Sequence, residues 1–111
     1  MYRVHKRIEI SGSHSLSLNY DSKCKNLHGH NWIINIYMQA ETLDENGMVY
    51  DFATIKREIT ERLDHKHLNE VFDFNPTAEN IAKGICDTLG NKCYKVSVQE
   101  SEGNTAEYER S

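Results

Sequence analysis

A chain of 111 residues is about the size of one ordinary domain, so the expectation is a single core and not a two-domain enzyme with its own cofactor-binding half. Hydrophobic residues at 38% and charged residues at 27%, with six glycines and one proline, describe a chain that folds, not a disordered or collagen-like one. Seventeen acids against thirteen bases, a net charge of −4, exclude a broad basic face for nucleic acid, so any anionic ligand must be met by local charge.

No apolar run approaches the roughly 18 residues of a membrane span, and residues 1–20 lack the continuous apolar stretch of a secretory signal. The expectation is a soluble, cytoplasmic protein with no membrane partner. Three cysteines, Cys24, Cys86 and Cys93, are an odd count and point to reduced thiols. Six histidines, with three at positions 14, 28 and 30, exceed what composition explains.

In chain order, Tyr2, Val4, Ile8 and Ile10 alternate with Arg3, His5, Arg7 and Glu9, the period of a strand with one buried face. A polar loop over about residues 11–26 follows. Trp32, Ile34, Ile36 and Met38 again fall on even positions and predict a second strand. Asp44-Glu45-Asn46-Gly47 is a turn signal, after which Met48 to Asp51 can begin a short extended return. Asp51 suits a helix N-cap, because Phe52, Ile55, Ile59 and Leu63 recur at helical spacing, and that helix ends near Asp64. Asn75-Pro76-Thr77 breaks the chain; Thr77 caps a second helix whose buried stripe is Ala78, Ile81, Ala82, Ile85 and Leu89, with Gly90 just past its end. Tyr94, Val96 and Val98 mark a third strand, and residues 105–110 a fourth. The order β-β-α-α-β-β predicts an α+β domain spanning residues 1–111, with a four-stranded antiparallel sheet and two helices on one face.

The chemistry starts at His28-Gly29-His30. Side chains two apart on an extended segment share a face, so both imidazoles can reach one metal ion, and a turn of the chain can bring His14 to them. Three histidines with an open fourth position describe a catalytic zinc centre, whereas a closed structural site usually takes four protein ligands. The competing reading is three polar residues near strand ends. Cys24 lies between Lys23 and Lys25, where adjacent cations favour a thiolate base or nucleophile; an inert exposed thiol is the alternative. Cys86 fits the apolar stripe of the second helix, and Cys93 carries no assignment. Asp64 beside His65 sets a carboxylate next to an imidazole, as proton transfer requires, although a helix-terminating histidine explains the same pair. Glu100 shares the parity of Val96 and Val98. Either the strand ends at Gln99 and Glu100 turns to solvent, or a core-side carboxylate waits for a ligand with two adjacent N–H groups.

Taken together, six motifs run in order: His14; Cys24-x-x-x-His28-Gly29-His30-Asn31; Gly47-Met48-Val49-x-Asp51-Phe52; Leu63-Asp64-His65-x-x-Leu68-Asn69; Pro76-Thr77-x-Glu79-Asn80; and Val96-x-Val98-x-Glu100. Over nearly the whole chain this pattern resembles the 6-pyruvoyltetrahydropterin synthase family. The three residues between Cys24 and His28 resemble its 6-carboxytetrahydropterin synthase branch, which serves queuosine biosynthesis; the pyruvoyl-forming branch typically has a longer spacing. The chain departs from the family pattern at Ser11-Gly12-Ser13, where relatives often carry Phe and small alanines, and at Ser101, where Thr is common.

The resemblance implies the tunnelling fold, in which trimers close into a barrel and two trimers stack into a hexamer, with active sites between subunits. It implies Zn2+ on His14, His28 and His30, acting as a Lewis acid toward the side-chain hydroxyls of a pterin triphosphate. It implies Cys24 as the base toward a carbon-bound proton, His65 with Asp64 as a proton relay, Glu100 as the holder of the amino-pyrimidine edge and Thr77 as a weaker contact. The implied reaction converts 7,8-dihydroneopterin triphosphate to 6-carboxy-5,6,7,8-tetrahydropterin, acetaldehyde and triphosphate. The rival readings are a pyruvoyl-forming synthase or an aldolase on the same scaffold, and a non-catalytic metal- or pterin-binding protein.

Overall fold

The alternating apolar positions decide which face of the sheet is buried. A computed structural model describes residues Met1–Ser111. In chain order the elements are β1 (Tyr2–His14), β2 (His28–Ala40), α1 (Phe52–Leu63), β3 (Lys66–His67), α2 (Leu68–Val71), α3 (Ala78–Leu89), β4 (Cys93–Ser101) and β5 (Asn104–Glu109). They build one sheet in the order β3-β1-β2-β4-β5, antiparallel except where β3 runs parallel to β1. Ile8, Ile10, Trp32, Ile34, Ile36, Met38, Val96 and Val98 are all buried, as one side-chain parity demands. Full burial of each is worth about 1.5–3 kcal/mol, which pins the strand register.

The helices cover that face. The Asp51 carboxylate accepts from the Ala53 amide at 2.8 Å and starts α1, which buries Ile55, Ile59 and Leu63. The Thr77 hydroxyl oxygen accepts from the Asn80 amide at 3.1 Å and starts α3, which buries Ile81, Ala82, Ile85, Cys86 and Leu89. Gly90, at φ 88°, ends α3 in a backbone conformation that favours glycine. α1 packs on β1, and α3 on β4 and β5. No helix is long and apolar enough to cross a membrane.

The structure differs from the sequence reading in four places. First, β1 and β2 pair from Tyr2 opposite Ala40 to His14 opposite His28, so residues 11–14 are strand, not loop. Polar Ser11 and Ser13 sit on the open face and leave the buried parity intact. Second, residues 48–51 form no strand: the Asp44 carboxylate accepts from the amides of Asn46 and Met48 at 2.8 and 3.0 Å, and the chain turns there. Third, the four expected antiparallel strands gain a fifth, β3, beside Gly12 and Ser13, and a short helix, α2, follows it. Fourth, a bulge in β4 pairs Cys93 with Met38 and Lys95 with Tyr37, leaving Tyr94 extra. That slip turns odd-numbered Cys93 into the core, where burial pushes its thiol up to about 12.

Candidate metal centre

At one end the buried stripe of the sheet turns from aliphatic to imidazole. His14 closes β1 directly opposite His28 at the start of β2, His30 stands opposite Gly12, and β4 runs past Gln99 to Ser101, carrying Glu100 on the same side. One ligand atom from each of His14, His28, His30 and Glu100 lies within 4.8 Å of all the others. The alternative in which the strand stops at Gln99 is thereby excluded. Trp32 forms the floor, its ring edge-on to His14 and His30 at 4.9 and 5.1 Å, and its indole N–H donates to the Gly12 carbonyl at 3.1 Å.

Backbone carbonyls fix the tautomers. His14 Nδ1 donates to the Pro76 carbonyl at 2.8 Å, and His28 Nδ1 donates to the Asn26 carbonyl at 2.7 Å. A carbonyl only accepts, so each Nδ1 carries a proton, which leaves Nε2 as the lone-pair nitrogen of the neutral ring, the tautomer found in metal-binding histidines. Burial holds His14 below the ordinary histidine range, against the opposing pull of the Pro76 carbonyl and Glu100. Burial also lowers His30. Burial thus favours the neutral, ligating form of both. The Nε2 atoms of His14 and His30 are buried and have no hydrogen-bond partner. A buried acceptor without a partner costs on the order of 1–3 kcal/mol, so two side by side fit a cation that would satisfy both. Three imidazoles with one carboxylate are a donor set suited to zinc.

The segment after His14 is held by two asparagines. Asn69 exchanges two hydrogen bonds with the backbone of Ser15 at 2.9 Å each, and Asn75 does the same with Ser17 at 2.9 and 3.0 Å. These side chains replace a strand partner and lead the chain away from His14 on a fixed path. Sequence reasoning gave no role to Asn69 or Asn75, nor to the Pro76 and Asn26 carbonyls; the Asn-Pro pair was legible only as a break.

The remaining candidates lie on other segments of the chain. Cys24 lies half-buried in a single 3-10 turn, Lys23–Lys25, capped by Ser22, with its carbonyl accepting from the Leu16 amide at 2.8 Å. Asp64 and His65 follow α1 and grip β1: the Asp64 carboxylate accepts from the Ser11 amide at 2.9 Å, and the His65 amide donates to the Ser11 carbonyl at 2.7 Å. This grip holds His65 at φ 56°, left-handed for a non-glycine residue, with an 82% exposed side chain 3.7 Å from Asp64. A polar cavity of about 540 Å³ joins His30 to His65, Lys66 and His67, and no acidic side chain lines it. His67 Nδ1 lies 3.1 Å from the Ser13 hydroxyl. The Thr77 hydroxyl serves as the α3 cap beside Pro76.

Three histidines and a carboxylate converging at the end of an antiparallel sheet, backed on one face by helices, define an α+β protein with a cluster that could hold a metal ion. The chain belongs to the 6-pyruvoyl tetrahydropterin synthase family, a family of pterin-processing lyases whose model matches residues 3–111, and its fold is the tunnelling fold. It is 31% identical over 116 aligned residues to 6-carboxy-5,6,7,8-tetrahydropterin synthase of Bacillus subtilis, covering 90% of this chain and 80% of that protein. It is also 31% identical over 118 aligned residues to the protein of the same name from Rickettsia bellii, covering 86% and 85%. The structure superposes on Caenorhabditis elegans 6-pyruvoyl tetrahydropterin synthase with a TM-score of 0.78 and 28% identity, covering 99% of this chain and 96% of that one.

Proposed function

We propose that this chain, as one domain, is a zinc-dependent 6-carboxytetrahydropterin synthase. It converts 7,8-dihydroneopterin triphosphate to 6-carboxy-5,6,7,8-tetrahydropterin, acetaldehyde and triphosphate for queuosine biosynthesis. The observation that carries the reading is the convergence of His14, His28 and His30, with the Nε2 atoms of His14 and His30 buried and unpartnered. The carboxy product is favoured over the pyruvoyl one by the three-residue spacing from Cys24 to His28 and by the relatives at 31% identity that bear the carboxy name.

In this reading zinc, when bound, supplies Lewis acidity toward the hydroxyls of the substrate side chain. Glu100 accepts two hydrogen bonds from the amino-pyrimidine edge and orients the pterin. The Cys24 thiolate takes a proton from carbon, and His65, steadied by Asp64, moves protons to and from the departing fragment. Thr77 can add a contact near the pterin while its oxygen caps α3. The 82% exposure of His65 favours a site completed by a neighbouring subunit. Both sheet edges support this: β5 has no outer neighbour, and β3 covers only Gly12 and Ser13 of β1. We therefore expect trimers closed edge to edge and stacked into a hexamer. Three unpaired cysteines suit a reducing, cytoplasmic setting.

Incubation with 7,8-dihydroneopterin triphosphate, with and without a chelator, tests the reading, with products identified by mass spectrometry. Carboxytetrahydropterin and acetaldehyde that vanish with the chelator are expected. A pyruvoyl product would move the chain to the sister activity, and pterin binding without turnover would make it a binding protein.

A further inference from the structure

Glu100 stands where two functions meet. Its Oε1 lies 3.3 Å from His14 Nε2 and 3.5 Å from His30 Nε2. Neither approach has hydrogen-bond geometry, because both nitrogens are without a hydrogen-bond partner. On His14 the proton is on Nδ1, committed to the Pro76 carbonyl, so a nitrogen lone pair faces a carboxylate lone pair at 3.3 Å. Two acceptor atoms set this close are satisfied together by one cation that both ligate. The spacing identifies the kind of cation: tetrahedral ligands at about 2.0–2.1 Å from zinc are separated from one another by about 3.3–3.4 Å. Oε1 stands from the two nitrogens at distances close to that ligand–ligand separation. On its other side Glu100 lines a separate cavity of about 430 Å³, together with Ala78, Glu79 and residues 103–106.

We propose that Glu100 is the fourth protein ligand of the resting metal centre and leaves it when a pterin edge fills the neighbouring cavity. The carboxylate exchanges one metal–oxygen bond for two hydrogen bonds from the pterin's adjacent N–H groups. Its departure opens the coordination position that the substrate needs, so the metal becomes reactive only with a pterin in place. This inference rests on the three-histidine reading above.

The full chain loaded with cobalt(II) tests it by electronic absorption, together with zinc transfer to a chromophoric chelator. The probe is a 6-substituted pterin without the triphosphate. The wild-type cobalt spectrum should change when this pterin is added. Glu100→Gln and Glu100→Ala should shift the spectrum beforehand, show no further change with pterin, and release zinc to the chelator about tenfold or more sooner. Glu100 is 27% exposed, so neither substitution strands a buried group and both variants should fold. Identical spectra and zinc retention in wild type and both variants would overturn the fourth-ligand role alone, provided His28→Ala still loses metal. Wild type that holds no metal would overturn both this inference and the metal reading beneath it.

Discussion

His14 Nδ1 donates to the carbonyl of Pro76, 62 positions along the chain, at 2.8 Å. This bond ties the end of β1 to the start of α3 and sets which nitrogen of His14 faces the other imidazoles. The carbonyl is held in place by its neighbour Asn75, which grips Ser17. Asn75→Ala should therefore act at a distance from the metal. We expect weaker zinc binding by about tenfold, within the range for lost supporting contacts, measured by chelator competition. Unchanged affinity would show that the Pro76 carbonyl holds its position without Asn75.

Metal content is the direct check on the imidazole cluster. Wild-type protein should hold about one zinc per subunit, and His30→Ala well under half of that, since three-histidine sites normally hold zinc well. Removing the metal should also lower the melting temperature, because a ligand that binds only the folded state stabilises it by mass action. Equal zinc contents in wild type and variant would remove His30 from the ligand set.

Cys24 sits on its own 3-10 turn and is not one of the four grouped ligands, so chemistry and metal binding can be tested apart. Cys24→Ala should retain zinc and bind pterin while losing turnover, whereas Glu100→Ala should weaken pterin binding together with the faster zinc release expected above. Normal turnover by Cys24→Ala would assign the base to another residue.

His65 and His67 line the same polar cavity, and only the first is assigned proton transfer. Asparagine tolerates the left-handed backbone found at His65, so His65→Asn removes the imidazole while keeping the φ of 56°. We expect its rate to fall on the order of a hundredfold, with loss of one ionisation from the pH–rate profile. His67→Asn loses only a contact to Ser13 and should stay within a few-fold of wild type. The opposite ranking would move the relay to His67.

Gly12 lets the metal-site floor pack. A Cβ there would meet Leu68 Cγ and Trp32 Nε1 at 3.3 Å each, and both side chains are almost completely buried. Gly12→Ala should destabilise the fold by about 1–3 kcal/mol, the usual range for overpacking, as measured by denaturant unfolding. Because Trp32 abuts His14 and His30, zinc affinity should fall with it. Wild-type stability would mean that Leu68 and Trp32 repack freely.

The sequence alone determined the four long strands, both long helices, their caps at Asp51 and Thr77, and the face that each buries. Those features follow from local chemistry: alternation along a strand, spacing around a helix, a side-chain oxygen placed where amides lack partners. It also named His14, His28 and His30 as one group, since His28 and His30 share a strand face by spacing alone. The tertiary structure decided what depends on register and on distant chain. Pairing of His14 with His28, 14 residues away, and the run of β4 beyond Gln99 brought Glu100 to within 3.3 Å of His14. The bulge at Tyr94 buried Cys93, which parity would have left outside. The Ser11 clasp created β3 and turned His65 into a left-handed conformation, as no neighbouring residue required. Pro76 gave a local signal only as a break, because the atom that matters is a backbone carbonyl, and every residue has one. Its role appears only when the fold carries His14 to it.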